Sequence, residues 1–348
     1  MEQKRLRRKS VGNEKTLKVL FTYYPLYVDF NHGSALLTAI CKQRNIDADY
    51  APVTSLPESM KNYDVIAFSL VTDADYQQCI PYMESAMLAG KMVLAGGVYA
   101  RRGGHIDSAL VHHICRGEAE TLPEFLLNGD MSIFKEVRYQ ESLDGLPMPD
   151  LSHVKGNEFH RGIPFLQGLK IIPYQTSRGC PYQCSFCEVQ YQPKGVRIKH
   201  TIHDEVKRLQ RDHSPDLLYT FDELPPYYLA EWREQWKGLY APFLSYIRAD
   251  IEPEYLEFMI EHGLKVAAFG VESTDEDFRN GTLKKGITDA QIMRTANILN
   301  KHDIKYMAFY MSGVPGETPL NHDIAHIIGG YPIVWQYQDL QTSIMQEA

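Results

Sequence analysis

No apolar run in the 348 residues approaches the length of a membrane-spanning helix. The blocks VIAFSLV at 65–71 and MVLAGGVYA at 92–100 are the size of buried strands instead. VGNEKTLK at 11–18 is polar where a secretory signal would need its apolar block. Cysteine is scarce: six residues, unevenly placed, do not make a disulfide framework. Cytoplasm is therefore the expected compartment, where thiols stay free for metal or redox chemistry. Basic charge is also short, with 36 Lys and Arg against 44 Asp and Glu. Five of the 36 crowd into the first ten residues, MEQKRLRRKS, leaving about −12 on the rest, a surface that on average repels a polyanion. That balance disfavours a nucleic-acid partner. The tail itself reads as a solvated, flexible terminus, or as a short contact for nucleic acid or acidic lipid.

What is present is a chain too long for one ordinary core and sized for two domains. From Leu17 to about residue 130, short apolar strands alternate with helical stretches: LKVLFTYYP, DADYAPV, YDVIAFSLV and KMVLAGGVYA as strands, with SALLTAICKQRN as a helix capped by Ser34. YQQCIPYMESAMLAG reads as a helix with Pro81 near its start or kinking it. HICRGEAETLPEFLLNG gives a short strand, a turn at Gly117 and a closing helix, while His112 and His113 read as helix surface. Repeated β-α units of this length predict a doubly wound parallel sheet, whose ligands bind at the carboxyl ends of the strands. The segment 131–169 is rich in Pro, Gly and polar residues and reads as a linker. A second βα series begins at LKIIPYQTSRG and gives five strands, with YPIVWQYQDLQ as a possible sixth. It predicts part of an α/β barrel over 170–348, since eight strands do not fit.

The stretch SRGCPYQCSFCEV places Cys180, Cys184 and Cys187 just beyond the first strand of that barrel. Three thiolates at uneven spacing, with no fourth nearby, suit zinc poorly, because structural zinc closes its four positions with local pairs. His200, His203 or His213 could supply a fourth ligand; coincidental burial is another reading. The remaining one is a four-iron cluster with one iron left open for a substrate or cofactor.

The pattern Cys-x-x-x-Cys-x-aromatic-Cys, with Phe186 as the aromatic, resembles the signature of the radical S-adenosylmethionine (SAM) superfamily. More of the chain agrees over about residues 170–325. YTFDEL (Asp222, Glu223) resembles the acidic motif of strand two near the SAM amino group. YIRAD (Arg248, Asp250) resembles strand three, and FGVES (Glu272, Ser273) strand four, whose polar residues meet the methionyl or ribose part. LKKGIT and MSGVPGET (Gly313, Pro315, Gly316, Glu317) complete the likeness. The resemblance implies a cluster on the three cysteines and SAM on its open iron. It implies one-electron cleavage of SAM to a 5′-deoxyadenosyl radical, fed by a donor such as flavodoxin or ferredoxin. Each of these carboxylates also reads as a helix cap or ion-pair partner, Asp250 as readily as a site residue.

The first domain resembles the Rossmann-like cobalamin-binding domain that precedes the barrel in one radical SAM class. The matching segments are YDVIAFSLVT, VLAGGVYA and ICRGEAETLPEFL, followed by LDGLPMPDL. The likeness implies corrin contacts from Ser69, Thr72, Gly96, Gly97, Val98, Tyr99, Gly117 and Glu118. DFNHGSA (Asp29, His32, Gly33) lacks the spacing of the Asp-x-His-x-x-Gly motif that ligates cobalt in another domain type, so His32 reads as a surface or packed residue.

Together these resemblances imply a cobalamin-dependent radical SAM enzyme, foremost a methyltransferase acting on an unactivated carbon of a small molecule or peptide. A radical SAM cyclase or oxidoreductase is the alternative, and a cluster- or corrin-binding sensor is a third. The barrel ends soon after its last strand, so an oligomer or partner is expected to close the site. Tyrosine is abundant, and YTFDELPPYYLAEWREQWKGLY reads either as a pocket lining or as helix packing.

Overall fold

The computed structural model describes residues 17–25, 30–154, 162–187, 189 and 195–336. The basic tail at 1–16 and Asp29 lie outside them. The first domain holds β1 (Lys18–Tyr23), β2 (Asp47–Pro52), β3 (Val65–Ser69), β4 (Met92–Gly96) and β5 (His113–Ile114). They form one parallel sheet in the order β2-β1-β3-β4-β5. Successive residues of a strand point to opposite faces, so an apolar run buried throughout must feed two cores. Val19, Phe21, Val65, Ala67 and Leu94 join one core, while Leu20, Ile66, Phe68, Val93 and Ala95 join the other.

Helix His32–Gln43 follows β1. Its cap is Asn31, whose side-chain oxygen accepts from Ser34 N–H at 2.8 Å; Ser34, expected as the cap, is the third helical residue. Helix Asp73–Leu88 starts earlier than its sequence suggested, because Thr72 and Asp75 form a reciprocal capping box. Pro81 is consequently ninth of sixteen residues rather than near the start. His112 and His113 are not on a helix. His113 opens β5, stacks on Phe134 and meets Phe125 edge-on, and His112 Nδ1 accepts from Val93 N–H. The side of β4 that faces β5 supplies partners that a local reading cannot see. The interdomain segment is packed rather than loose where it is described. Asp150 donates its N–H to Ala35, and its carboxylate binds Lys42.

The second domain contains β6 (Ile171–Tyr174), a two-residue antiparallel ladder of β7 (Ser177–Arg178) with β8 (Arg197–Ile198), then β9 (Leu217–Thr220), β10 (Phe243–Tyr246), β11 (Leu264–Glu272), β12 (Lys305–Ser312) and β13 (Tyr331–Gln336). The parallel sheet runs β6-β9-β10-β11-β12-β13, six strands with β6 and β13 at its two edges. Trp232, Trp236 and Tyr227 from the aromatic-rich stretch are buried in the core beneath the helices, with Tyr228 packed against it and Tyr219 against the inner core, so packing accounts for most of its rings. The inner face is lined by Leu217, Leu244, Val266, Ala268 and Met307.

Candidate active site

The cysteine loop leaves the barrel through a narrow stem. Arg178 pairs with Arg197 across β7 and β8, and immediately beyond them Gly179 has φ of 95°. A Cβ on Gly179 would stand 2.3 Å from the carbonyl oxygen of Gly195, so the two arms pinch together where only glycine fits. Within the loop Cys187 N–H donates to Cys184 O, and Ser185 is fastened to Leu283 O and Thr282 O. Cys184 is buried, and Cys180 and Cys187 are half-buried.

Burial pushes the Cys180 thiol up and the Cys187 thiol up to about 12. Thiols so placed stay protonated unless a cation neutralises the sulfur, as iron does. Two basic side chains face the loop. Arg248 Nη1 lies 3.7 Å from Cys184 Sγ, and Lys285 Nζ lies over the Phe186 ring at 5.5 Å. Among the described residues no three His, Cys, Asp or Glu converge on one ion. A four-iron cluster gives each thiolate its own iron, so three cysteines spread around one loop fit its chemistry.

The expected SAM residues divide by environment. Asp222 is buried and bound to the segment that leads into the loop. It accepts from Thr176 N–H (2.7 Å), Ser177 N–H (2.6 Å) and Thr176 Oγ1 (2.7 Å), bracing the turn between β6 and β7. Burial raises its carboxyl to about 7 despite those donors. Glu223 is exposed and accepts from Gly179 N–H at 3.2 Å, directly before Cys180. Arg248 holds Asp250 with two parallel N–H donors at 3.0 Å each and donates to Lys285 O. Glu272 is buried, has φ of 66° at a bulge in β11, and meets Lys285 Nζ at 2.5 Å. Ser273 Oγ accepts from Asp275 N–H. Arg279, fully buried, ties the carbonyls of Val271 and Ser273 to Ile287 O and the Asp289 carboxylate. Gly313 donates its N–H to Glu317. Sequence reasoning missed Lys285, Arg279 and Tyr182. Only the KKG of LKKGIT signalled any of them.

The expected corrin residues also divide. A cavity of about 500 Å³ lies at the carboxyl ends of the first sheet and reaches the barrel. Tyr23, Ser69 and Gly96 stand side by side in register at the ends of β1, β3 and β4, spanning the point where strand order reverses. Ser69, Thr72, Gly96, Gly97, Val98, Gly117 and Glu118 all line it. Tyr99 does not: it is turned into the core, stacks on Tyr76 and donates to Asp73 and His105 O. Thr72 Oγ1 caps its helix, and Glu118 faces the barrel's arginines. Burial works against ionisation of Glu118, but Arg197 and Arg178 outweigh it and hold its carboxyl below the usual range.

The wall of this cavity carries buried polar atoms without hydrogen-bond partners: His32 Nε2, Ser34 Oγ, Asp75 Oδ1 and Glu120 Oε2. Such atoms are what a polar ligand or water would satisfy. From the barrel side Phe221, Glu223 and Arg178 complete the wall, with Phe221 stacked on His32 at 5.5 Å. His32 is a packed residue; burial, then Arg178 and Lys199, lower its imidazole to about 3, so it is neutral.

Residues 174–328 match the model of the Radical SAM superfamily. The chain is 24% identical over 281 residues to the bacteriochlorophyllide d C-12(1)-methyltransferase of Chlorobaculum tepidum, covering 76% of this chain and 60% of that protein. The chain thus spans less than two thirds of that relative's length. Its fold is shared with the radical SAM methyltransferase TsrM of Kitasatospora setae, solved with tryptophan substrate and a SAM analogue (TM-score 0.70, 14% identity, 92% of this chain and 73% of that one). It is shared too with the cobalamin-dependent SAM radical enzyme OxsB, solved with aqua-cobalamin and SAM (TM-score 0.61, 15% identity, 85% and 49%).

Proposed function

We propose that this chain, whose residues 174–328 match the Radical SAM superfamily, is a cobalamin-dependent radical SAM methyltransferase acting on an unactivated carbon. The observation that carries this reading is a shared wall. The cavity at the switch point of the first sheet is closed by Phe221, Glu223 and Arg178, of which Arg178 lies on the stem of the cysteine loop and Glu223 holds Gly179 N–H directly before Cys180. The two cofactor sites of such an enzyme would therefore lie next to each other.

When bound, the cluster with SAM supplies a hydrogen-abstracting radical and the corrin a transferable methyl group. The chain's own part is position and dryness. Cys180, Cys184 and Cys187 would hold the cluster, with Arg248 and Lys285 offsetting the negative charge that gathers on its sulfurs. Glu223, beside Gly179 at the stem of the cysteine loop, would accept from the amino group of SAM, and the strained Glu272 would meet its polar part. Gly96 and Gly97 would admit the flat corrin edge, and His32, neutral and desolvated, would meet a hydrogen-bond donor at the domain boundary.

Anaerobic reconstitution with iron, sulfide and hydroxocobalamin, all counted in one desalted sample, tests the cofactors. No retained corrin overturns the cobalamin part. Formation of 5′-deoxyadenosine from SAM without S-adenosylhomocysteine overturns methyl transfer and leaves a cyclase or oxidoreductase.

A further inference from the structure

The stem of the cysteine loop is fastened to the other domain, and both of its arms are fastened by the same side chain. Arg178, on the arm that leads to Cys180, reaches Glu118 Oε1 at 3.2 Å and Glu120 Oε1 at 2.5 Å. Arg197, on the returning arm and directly opposite Arg178 in register, grips Glu118 with both terminal nitrogens at 2.8 and 2.9 Å. Glu118 is 6% exposed and Arg178 8%, so water screens these contacts little.

Glu118 is itself immobilised. Its N–H donates to Arg138 O, and its Oε2 accepts from Gln140 N–H at 2.6 Å. The preceding Gly117 lies against Arg138, where a Cβ would fall 2.4 Å from the carbonyl oxygen. The loop after β5 is thus a rigid mount carrying two carboxylates, and two arginines of the loop stem plug into it. The same mount forms part of the cavity wall, where Glu120 keeps one buried oxygen without a partner.

We propose that Glu118 is a positioning residue. From the first domain it helps fix both arms of the cysteine-loop stem, through Arg178, which it shares with Glu120, and through Arg197, which also donates to Gln140 O, so the cluster's place relative to the cavity depends on that carboxylate. The barrel braces the stem too, through Asp222 on Ser177 N–H and Glu223 on Gly179 N–H, but the ladder of β7 with β8 is only two residue pairs long, and the Glu118 contacts are what tie both of its arms to the first domain. The structural part of the proposal stands without any cofactor; its consequence for the cluster rests on the function proposed above.

The test uses the full chain, first without cofactors. Hydrogen exchange in peptides covering 177–187 and 195–199 should rise about tenfold or more in Glu118→Gln, with peptides of β1 and β3 unchanged. Arg197→Gln should give the same local signature from the other arm. Glu124→Gln, which loses only the Arg44 pair within the first domain, should move neither region. Glu118→Asp, which keeps the charge at shorter reach, should lie between wild type and Glu118→Gln. After reconstitution, the electron paramagnetic resonance spectrum of the reduced cluster should broaden or shift in Glu118→Gln. Unchanged exchange at the stem in Glu118→Gln overturns the proposal, as does an increase spread evenly over both domains. Wild-type chain that retains no corrin, while Glu118→Gln still loosens the stem, would overturn the proposed function and leave the positioning role standing.

Discussion

Arg248 lies flat on Tyr182, its guanidinium carbon 3.5 Å from the centre of the ring. That contact joins strand three of the barrel to the residue midway between Cys180 and Cys184, while Nη1 of the same arginine faces Cys184 Sγ. A lysine would keep the charge but lose the planar stack and the two-pronged hold on Asp250. Arg248→Lys should therefore retain the cluster's iron yet lower the rate of reductive SAM cleavage about tenfold or more, equivalent to about 1.4 kcal/mol. Iron determination and 5′-deoxyadenosine formation in the same preparation check this; equal loss of iron and activity would show a role in assembly instead.

The cysteines make a sharper separation. Cys184→Ala removes the most buried of the three thiols and leaves the cavity wall untouched, since none of the three lines it. Reconstituted variant protein should lack the full iron and sulfide complement and fail to cleave SAM, while retaining as much hydroxocobalamin as wild type after desalting. Parallel loss of corrin would mean that cluster and cavity are one cooperative unit.

The cysteine motif, the alternation of strands and helices and the sixth barrel strand were all legible because each is local: a spacing, a period, a run of apolar residues. What was not legible depends on partners far along the chain. Asp222 matched an acidic motif, but its fate was decided by Thr176 and Ser177, 46 and 45 residues away. Glu118, read as a corrin contact, lines the cavity, but its carboxylate is also held by Arg197, 79 residues on, which no local pattern announces. Tyr99 sat in a matching segment, yet Asp73 and the Tyr76 ring turned it inward. A motif gives the position of a side chain along a strand; tertiary packing decides which way its polar atoms are satisfied.

Gly97 is the position where the cavity tolerates least. Its φ is 93°, and a Cβ there would lie 2.4 Å from Leu70 O, an oxygen already accepting from Tyr99 N–H. Gly97→Ala should destabilise the chain by about 1–3 kcal/mol through backbone strain. It should also abolish hydroxocobalamin retention. Ser69→Ala, at the neighbouring strand end, should leave denaturant unfolding near wild type. Retained corrin in Gly97→Ala would place the corrin elsewhere.

Asp222 predicts a pH dependence with a definite sign. Its carboxyl is raised by burial from an ordinary value near 4 to about 7, so the folded chain binds this proton more tightly than the unfolded chain does. Its contribution to stability is therefore fully present at low pH, declines as pH rises through the interval from about 4 to about 7, and is constant above it, a span of a few kcal/mol. Asn at this position keeps the oxygen that receives the Thr176 and Ser177 N–H groups and cannot titrate. Asp222→Asn should remain folded and flatten the decline. Asp222→Ala leaves two buried N–H donors unpaired and should cost about 2–4 kcal/mol. Denaturant unfolding of the cofactor-free chain at pH 5 and pH 8 measures the difference between variant and wild type. Taking that difference removes the opposing slope from His32, whose lowered imidazole favours the folded state as pH rises. A wild-type decline that persists undiminished in Asp222→Asn would show that another group carries it.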